Sequence, residues 1–183
     1  MTIDTNEAVL TPPGQARMGV LRSDGQYRLI ACAPVPAGAR LFAIDGEPTD
    51  VPSRYSIQID THRHLDLPRD CPEDVIIDTY FWRYMNHSCE PNVRIHQQEV
   101  FASTDIRAGE EITFHYNTTE AHLAEPFACR CATAWCTGRI AGFAAAHPAE
   151  RERLWPWAAP HLRALHQDPD GHAAPSVDGL PQS

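Results

Sequence analysis

Cys129, Cys131 and Cys136, in the run Cys129-Arg130-Cys131-Ala132-Thr133-Ala134-Trp135-Cys136, carry the close spacing of metal thiolates. Three thiolates do not close a tetrahedral zinc site, and no histidine follows them at finger spacing. A fourth ligand must come from elsewhere, and Cys89, inside Tyr84-Met85-Asn86-His87-Ser88-Cys89-Glu90-Pro91-Asn92, is the candidate. A zinc ion on Cys89, Cys129, Cys131 and Cys136 would fold the later segment back onto the earlier one, which is where we expect the active site.

Six cysteines could instead make three disulfides. Against that, Met1-Thr2-Ile3-Asp4 lacks the basic start and apolar stretch of a signal peptide, and no apolar run approaches the roughly 18 to 20 residues of a membrane span. A cytoplasmic, reducing setting with metal-bound or free thiols is expected. Cys32, in Leu29-Ile30-Ala31-Cys32-Ala33, reads as a small buried thiol, and Cys71 falls in a polar loop. A length of 183 residues with 43% hydrophobic content suits one core. The net charge of -9 argues against a direct nucleic-acid partner, which demands basic patches, and suits a cationic one. All 15 basic residues are arginine, so the chain holds no lysine.

The elements that must position these residues are short strands and loops. Tyr27–Cys32, Arg40–Ile44 and Arg54–Ile59 read as strands, and Asn92–His96 with Glu99–Ala102 as a hairpin. Val75–Asp78 is short and apolar, Glu111–Tyr116 follows a turn, and Asp60–Asp74 reads as an exposed loop. Helical signals are confined to the end, where Pro148 and Pro160 suit first turns. Val35-Pro36-Ala37-Gly38-Ala39-Arg40-Leu41 and Ile106-Arg107-Ala108-Gly109-Glu110-Glu111-Ile112 both set an alanine-glycine pair before a strand, one strand-turn-strand unit used twice. Two such copies do not make a repeat protein.

Arg83-Tyr84-Met85-Asn86-His87-Ser88-Cys89-Glu90-Pro91-Asn92, followed by Phe101-Ala102 and Asp105 to Tyr116, closely resembles the core of SET-domain protein lysine methyltransferases. The cysteine trio with Gly138 resembles the family's post-SET zinc segment, and Pro36-Ala37-Gly38 with Asp45-Gly46-Glu47 resembles its N-terminal half. The resemblance spans roughly residues 20 to 143, and its ending resembles that of small bacterial members. It implies a mainly β fold, the SET-domain β-clip with a pseudoknot and short C-terminal helices. The implied divisions are a flexible arm at 1–16, the SET domain at 17–120, the post-SET segment at 121–143, helices at 144–166 and a disordered tail at 167–183.

The resemblance also implies roles. Methyl transfer from S-adenosylmethionine to a lysine ε-amine of a protein or peptide is an in-line displacement, so the enzyme must align donor and acceptor and exclude water. Tyr116 stands at the catalytic tyrosine; alone, a strand-end tyrosine is a packing residue. Asn86 and the His87 backbone would hold the cofactor, with Gly25, Tyr27, Arg83 and Tyr84 beside them; alone, an Asn-His pair is a polar turn. Tyr55, Tyr84 and Trp135 would line the lysine channel, in which a sulfonium and desolvation favour the neutral amine. Zinc would pin the post-SET segment over the site.

The chain departs from the family at Asp24-Gly25-Gln26-Tyr27-Arg28, with one glycine where two are usual, at Ile44, where a channel tyrosine is common, and at His115, where aspartate is common. Two other readings remain open at this point. One is a degenerate SET fold that binds peptide without turnover; the other is a methyltransferase acting on a small amine or peptide natural product.

Overall fold

Glycine-centred turns break this chain into strands too short to stand alone, so they assemble into several small sheets. In the computed structural model, which describes residues 8–10, 17–23 and 25–166, the strands are β1 (Ala8–Leu10), β2 (Met18–Ser23), β3 (Gln26–Ala31), β4 (Arg40–Ala43), β5 (Glu47–Thr49), β6 (Ile57–Asp60) and β7 (Arg63–Asp66). Helix α1 (Glu73–Asp78) follows, then β8 (Asn86–His87), β9 (Val93–His96), β10 (Glu99–Ala102), β11 (Thr113–Phe114), β12 (Phe127–Ala128) and β13 (Arg139–Ile140), and finally helices α2 (Pro148–Leu154) and α3 (Pro160–Leu165). The sheets run β1-β2-β3, β4-β10-β9, β5-β7-β6, β8-β11 and β12-β13, all antiparallel except the parallel pair β8-β11. The fold is mainly β with few short helices, as expected.

Several local expectations change. The stretch 60–74 is not one exposed loop: it contains β7 and the start of α1. The charged look of Arg63-His64-Leu65-Asp66 hides two adjacent buried residues, His64 and Leu65, one on each side of the strand, because β7 is the central strand between β5 and β6. Helices are not confined to the end either. Pro72 opens α1, Glu73 and Asp74 complement its N-terminal dipole, and Ile77 is the residue it buries. The strand expected at Arg54–Ile59 begins only at Ile57, and of Glu111–Tyr116 only Thr113–Phe114 is strand. Cys32 is exposed, not buried, since it follows the inward Ala31 at the end of β3. The expected arm falls outside the described residues except at β1, which pairs with β2; Asp24 and the tail at 167–183 also lie outside them.

The two similar turns meet each other. Val35 and Ile106 exchange backbone hydrogen bonds of 2.9 and 2.8 Å. The Gly38 N–H donates to the Ala102 carbonyl, and the Gly109 N–H donates to the Ala31 carbonyl. Ile30 lies opposite Glu111 as Phe101 lies opposite Arg40. Each of these backbone contacts is repeated at a constant offset, so the units are related by a local two-fold. Gly38 and Gly109 have φ of +81° and +82°, a conformation that costs glycine nothing. Around this axis Val20, Leu29, Phe42, Val100, Ile106 and Ile112 form the main core, and Phe143, Leu154 and Leu162 form a smaller one under the C-terminal helices.

Candidate functional site

The Asn92 side chain ties the chain after β8 to β11, which pairs with β8 in parallel. Its Oδ1 accepts from Thr113 N at 2.9 Å and its Nδ2 donates to the Glu111 carbonyl at 2.8 Å, an intramolecular imitation of a neighbouring strand. Ser88 N adds a bond to the Phe114 carbonyl. Asn86, His87, Cys89 and Tyr116 are thereby gathered from two distant segments, as the expected threading requires.

Tyr116 opens a 3-10 turn, Tyr116–Thr118, whose cap is His115, with Nδ1 accepting from Asn117 N. The phenol donates to the Met85 carbonyl at 3.0 Å, and burial raises its pKa to about 12. The backbone N–H of Tyr116 points at His87 Nδ1, 3.4 Å away. Burial lowers the pKa of His87 to about 4, so the ring is neutral, and an accepting Nδ1 leaves its proton on Nε2. That Nε2 lies 3.3 Å from Cys89 Sγ, where its N–H can donate to a thiolate. The His87 ring also meets His115, Tyr116 and Phe127 edge-on, at centroid distances of 4.7, 5.3 and 5.7 Å.

Two faces meet at this centre. On one, the exposed Asn86 donates to the Tyr27 carbonyl at 3.2 Å and to Glu111 Oε1 at 2.7 Å. Tyr27 stacks on Tyr84 with centroids 4.9 Å apart and hydrogen-bonds Glu73. Gly25, at φ +72°, leaves nothing within 4 Å of where a Cβ would stand. On the other face a pocket of about 30 Å³ is lined by Tyr55, Arg83, Met85, Phe114, Tyr116 and Glu120, among others. Arg83 lies over the Tyr55 ring, 4.0 Å from its centroid, and 3.8 Å from Asp66. Of the expected cofactor residues, Tyr27, Tyr84 and Asn86 are therefore on the first face, Gly25 stands in the turn before β3, and Arg83 is on the second face. Of the expected channel residues, Tyr55 lines the pocket with Tyr116, Tyr84 sits on the first face, and Trp135 is 58% exposed beside Arg153.

The four cysteines come together. One sulfur from each of Cys89, Cys129, Cys131 and Cys136 lies within 4.8 Å of all the others, a cluster that could hold a metal ion, and Cys89 is buried. The Cys89 and Cys129 sulfurs are 3.9 Å apart; tetrahedral zinc with bonds of about 2.3 Å requires roughly 3.8 Å, so this pair fits. Burial pushes Cys89 and Cys129 up in pKa, while Cys131, despite burial, is brought down to about 6 by hydrogen bonds from Thr133. Cys89 belongs also to a second group, with His87 and His115.

Some participants are not evident in the motifs. Buried Glu120 accepts from Gln58 N at 2.7 Å and faces His64 Nε2 at 3.4 Å, a partner contributed by the strand mistaken for a loop. Glu150 on α2 accepts from Asn117 Nδ2 at 3.0 Å and lies 3.5 Å from His115 Nε2. Burial takes the pKa of His115 to about 3, so that contact is polar rather than ionic. A signal existed for His115 alone, as the histidine preceding Tyr116.

A family model for the SET domain matches residues 11–117. The methyltransferase flvH of Aspergillus flavus is 36% identical over 86 residues, 45% of this chain and 47% of that protein. An H3 lysine-36 specific histone-lysine N-methyltransferase of Aspergillus oryzae and the histone-lysine N-methyltransferase ash1 of Drosophila melanogaster are each 40% identical over 68 residues, 33% of this chain. The chain spans less than half of flvH and only 7% and 3% of the other two. Among solved structures, KRYPTONITE in complex with DNA and SAH is similar at a TM-score of 0.49 and 23% identity, covering 62% of this chain and 26% of that one. The methyltransferase domain of human SETMAR is similar at 0.45 and 20%, covering 61% and 52%.

Proposed function

The chain belongs to the SET-domain family of methyltransferases, and from that premise we propose that it transfers the methyl group of S-adenosylmethionine to a lysine ε-amine of a protein or peptide. The observation that carries the reading is the partition made by β8 and the residue before it. Met85 lines the pocket with Tyr116, while Asn86, next in the chain, lies on the opposite face with Tyr27 and Glu111. A donor on one face and an amine on the other would meet at the Tyr116 hydroxyl.

The first face fits an amino-acid end. Asn86 spends its amide donor on Tyr27 and Glu111, leaving an exposed carbonyl oxygen, and the Glu111 carboxylate offers a counter-charge for an ammonium. Gly25 leaves open space for close approach, with Tyr27 and Tyr84 stacked beside it. When bound, S-adenosylmethionine supplies the electrophilic methyl group. On the second face Tyr55, Arg54 and Arg83 line the pocket with Glu120, and the Tyr55 ring would lie along the aliphatic stem of a lysine. Tyr116, fixed by Met85 and protonated, holds the acceptor in line; such alignment is worth more than any single contact it makes. Cys89, Cys129, Cys131 and Cys136 would hold zinc, with His87 Nε2–H donating to the Cys89 thiolate as an outer-shell partner. We place the SET domain at 17–120 and the zinc segment at 121–143.

Mass spectrometry of a host lysate treated with S-adenosylmethionine and the protein tests this. New methyl-lysine should appear with the wild type and fall about a hundredfold with Tyr116→Phe. Calorimetry with S-adenosylmethionine separates turnover from mere peptide binding: no heat from zinc-loaded protein would favour a binding module, and labelling of free amines alone would favour a small-molecule acceptor.

A further inference from the structure

A cavity of about 540 Å³ lies between β6, the β9–β10 hairpin and the C-terminal helices, and neither Tyr116, Asn86 nor any cysteine lines it. Its size is that of a small-molecule site. The walls Ile44, Ile57, Ile59 and Phe101 are apolar, and the charged walls are Arg94 and Arg163. No aspartate or glutamate is among its lining residues, although the chain carries 24 of them against 15 arginines. A positive, acid-free hollow in so acidic a protein is a local reversal of charge.

The two arginines differ. Arg163 is engaged, donating from Nε to the Ala158 carbonyl at 2.9 Å and from Nη2 to the Pro156 carbonyl at 2.8 Å. Arg94 lies with its guanidinium carbon 4.8 Å from the Trp157 ring centroid, and among the described residues no carboxylate pairs with it. Stacking on the indole holds the guanidinium fork in place and leaves its edge for a planar anion.

We propose that this cavity binds an amphiphilic organic anion, a carboxylate on an aliphatic or aromatic body. The body lies against Ile44, Ile57, Ile59 and Phe101, and the carboxylate makes a charge-assisted pair with Arg94. A cationic amphiphile is rejected by the same charge. Ile57 lines both this cavity and the Tyr116 pocket, so ligand position has to be read by mutation.

The test is calorimetry of the full chain with decanoate, decanamide and decylamine, all below their micellar concentrations. Decanoate should bind saturably at one site, decanamide at least tenfold more weakly, and decylamine not at all. Arg94→Gln should bring decanoate down to the affinity of decanamide without lowering the melting temperature. Ile59→Trp, which narrows the cavity and leaves Arg94 in place, should abolish binding, while Tyr55→Ala in the other pocket should leave it unchanged. No decanoate binding, equal affinity for the three probes, or binding that survives both cavity variants would overturn the proposal, as would its loss in Tyr55→Ala.

Discussion

Tyr116 holds its proton more tightly in the folded chain than out of it. An unfolded phenol titrates near 10, and burial raises Tyr84 and Tyr116 to about 12. The stability this confers is present below pH 10 and is lost as pH rises through 12. Titration followed by phenolate absorbance should therefore show Tyr84 and Tyr116 ionising late, joined by Tyr27, which its hydrogen bond to Glu73 also raises, together with alkaline unfolding, and Tyr116→Phe should remove one late step. Asn92 offers a second test. It is 9% exposed, and both ends of its amide are bonded to backbone, so Asn92→Ala should cost about 2–3 kcal/mol in urea unfolding. At this scale the motif residues were legible, because Asn86, Cys89 and Tyr116 stand in runs whose spacing carries meaning. His64 and Glu120 were not: they are far apart in sequence, and only burial pairs them. The His87 side chain was also missed, since the resemblance assigns a role to its backbone.

Among the elements, α2 and the turn before it are tied to Tyr116 from behind. Asn117 donates to Glu150 and accepts from the Gly142 N–H at 3.0 Å. Gly142 has φ +105°, and a Cβ there would lie 2.5 Å from the Ala121 carbonyl oxygen. Gly142→Ala should lower stability by at least about 2 kcal/mol, measured by thermal unfolding. The cysteine cluster joins the segment of β8 to the chain between β12 and β13. Cys89→Ser should reduce bound zinc, measured by elemental analysis, from one per chain to none, and chelation of the wild type should lower both melting temperature and methylation. The strands flanking the two alanine-glycine turns and the C-terminal helices were readable from period and proline. The strand β7 and helix α1 were not, because charge on their outward faces outweighs the few apolar positions that bury them.

For the molecule as a whole, the absence of lysine has a direct consequence. Untagged protein incubated with labelled S-adenosylmethionine should acquire no side-chain methyl-lysine; stoichiometric labelling of an internal residue would show an acceptor other than lysine. No helix among the described residues is long and apolar enough to cross a membrane.

The two-fold about Val35 and Ile106 divides its backbone partners between the two halves of the chain. Ile30, Val35 and β4 precede the exposed stretch at Arg69 and Asp70, and Phe101, Ile106 and Glu111 follow it. Severed there, each piece would offer the other a complementary set of backbone partners. Two separately expressed halves should therefore associate when mixed and co-elute as one complex in size-exclusion chromatography; halves that elute apart would show that the connection between them is required.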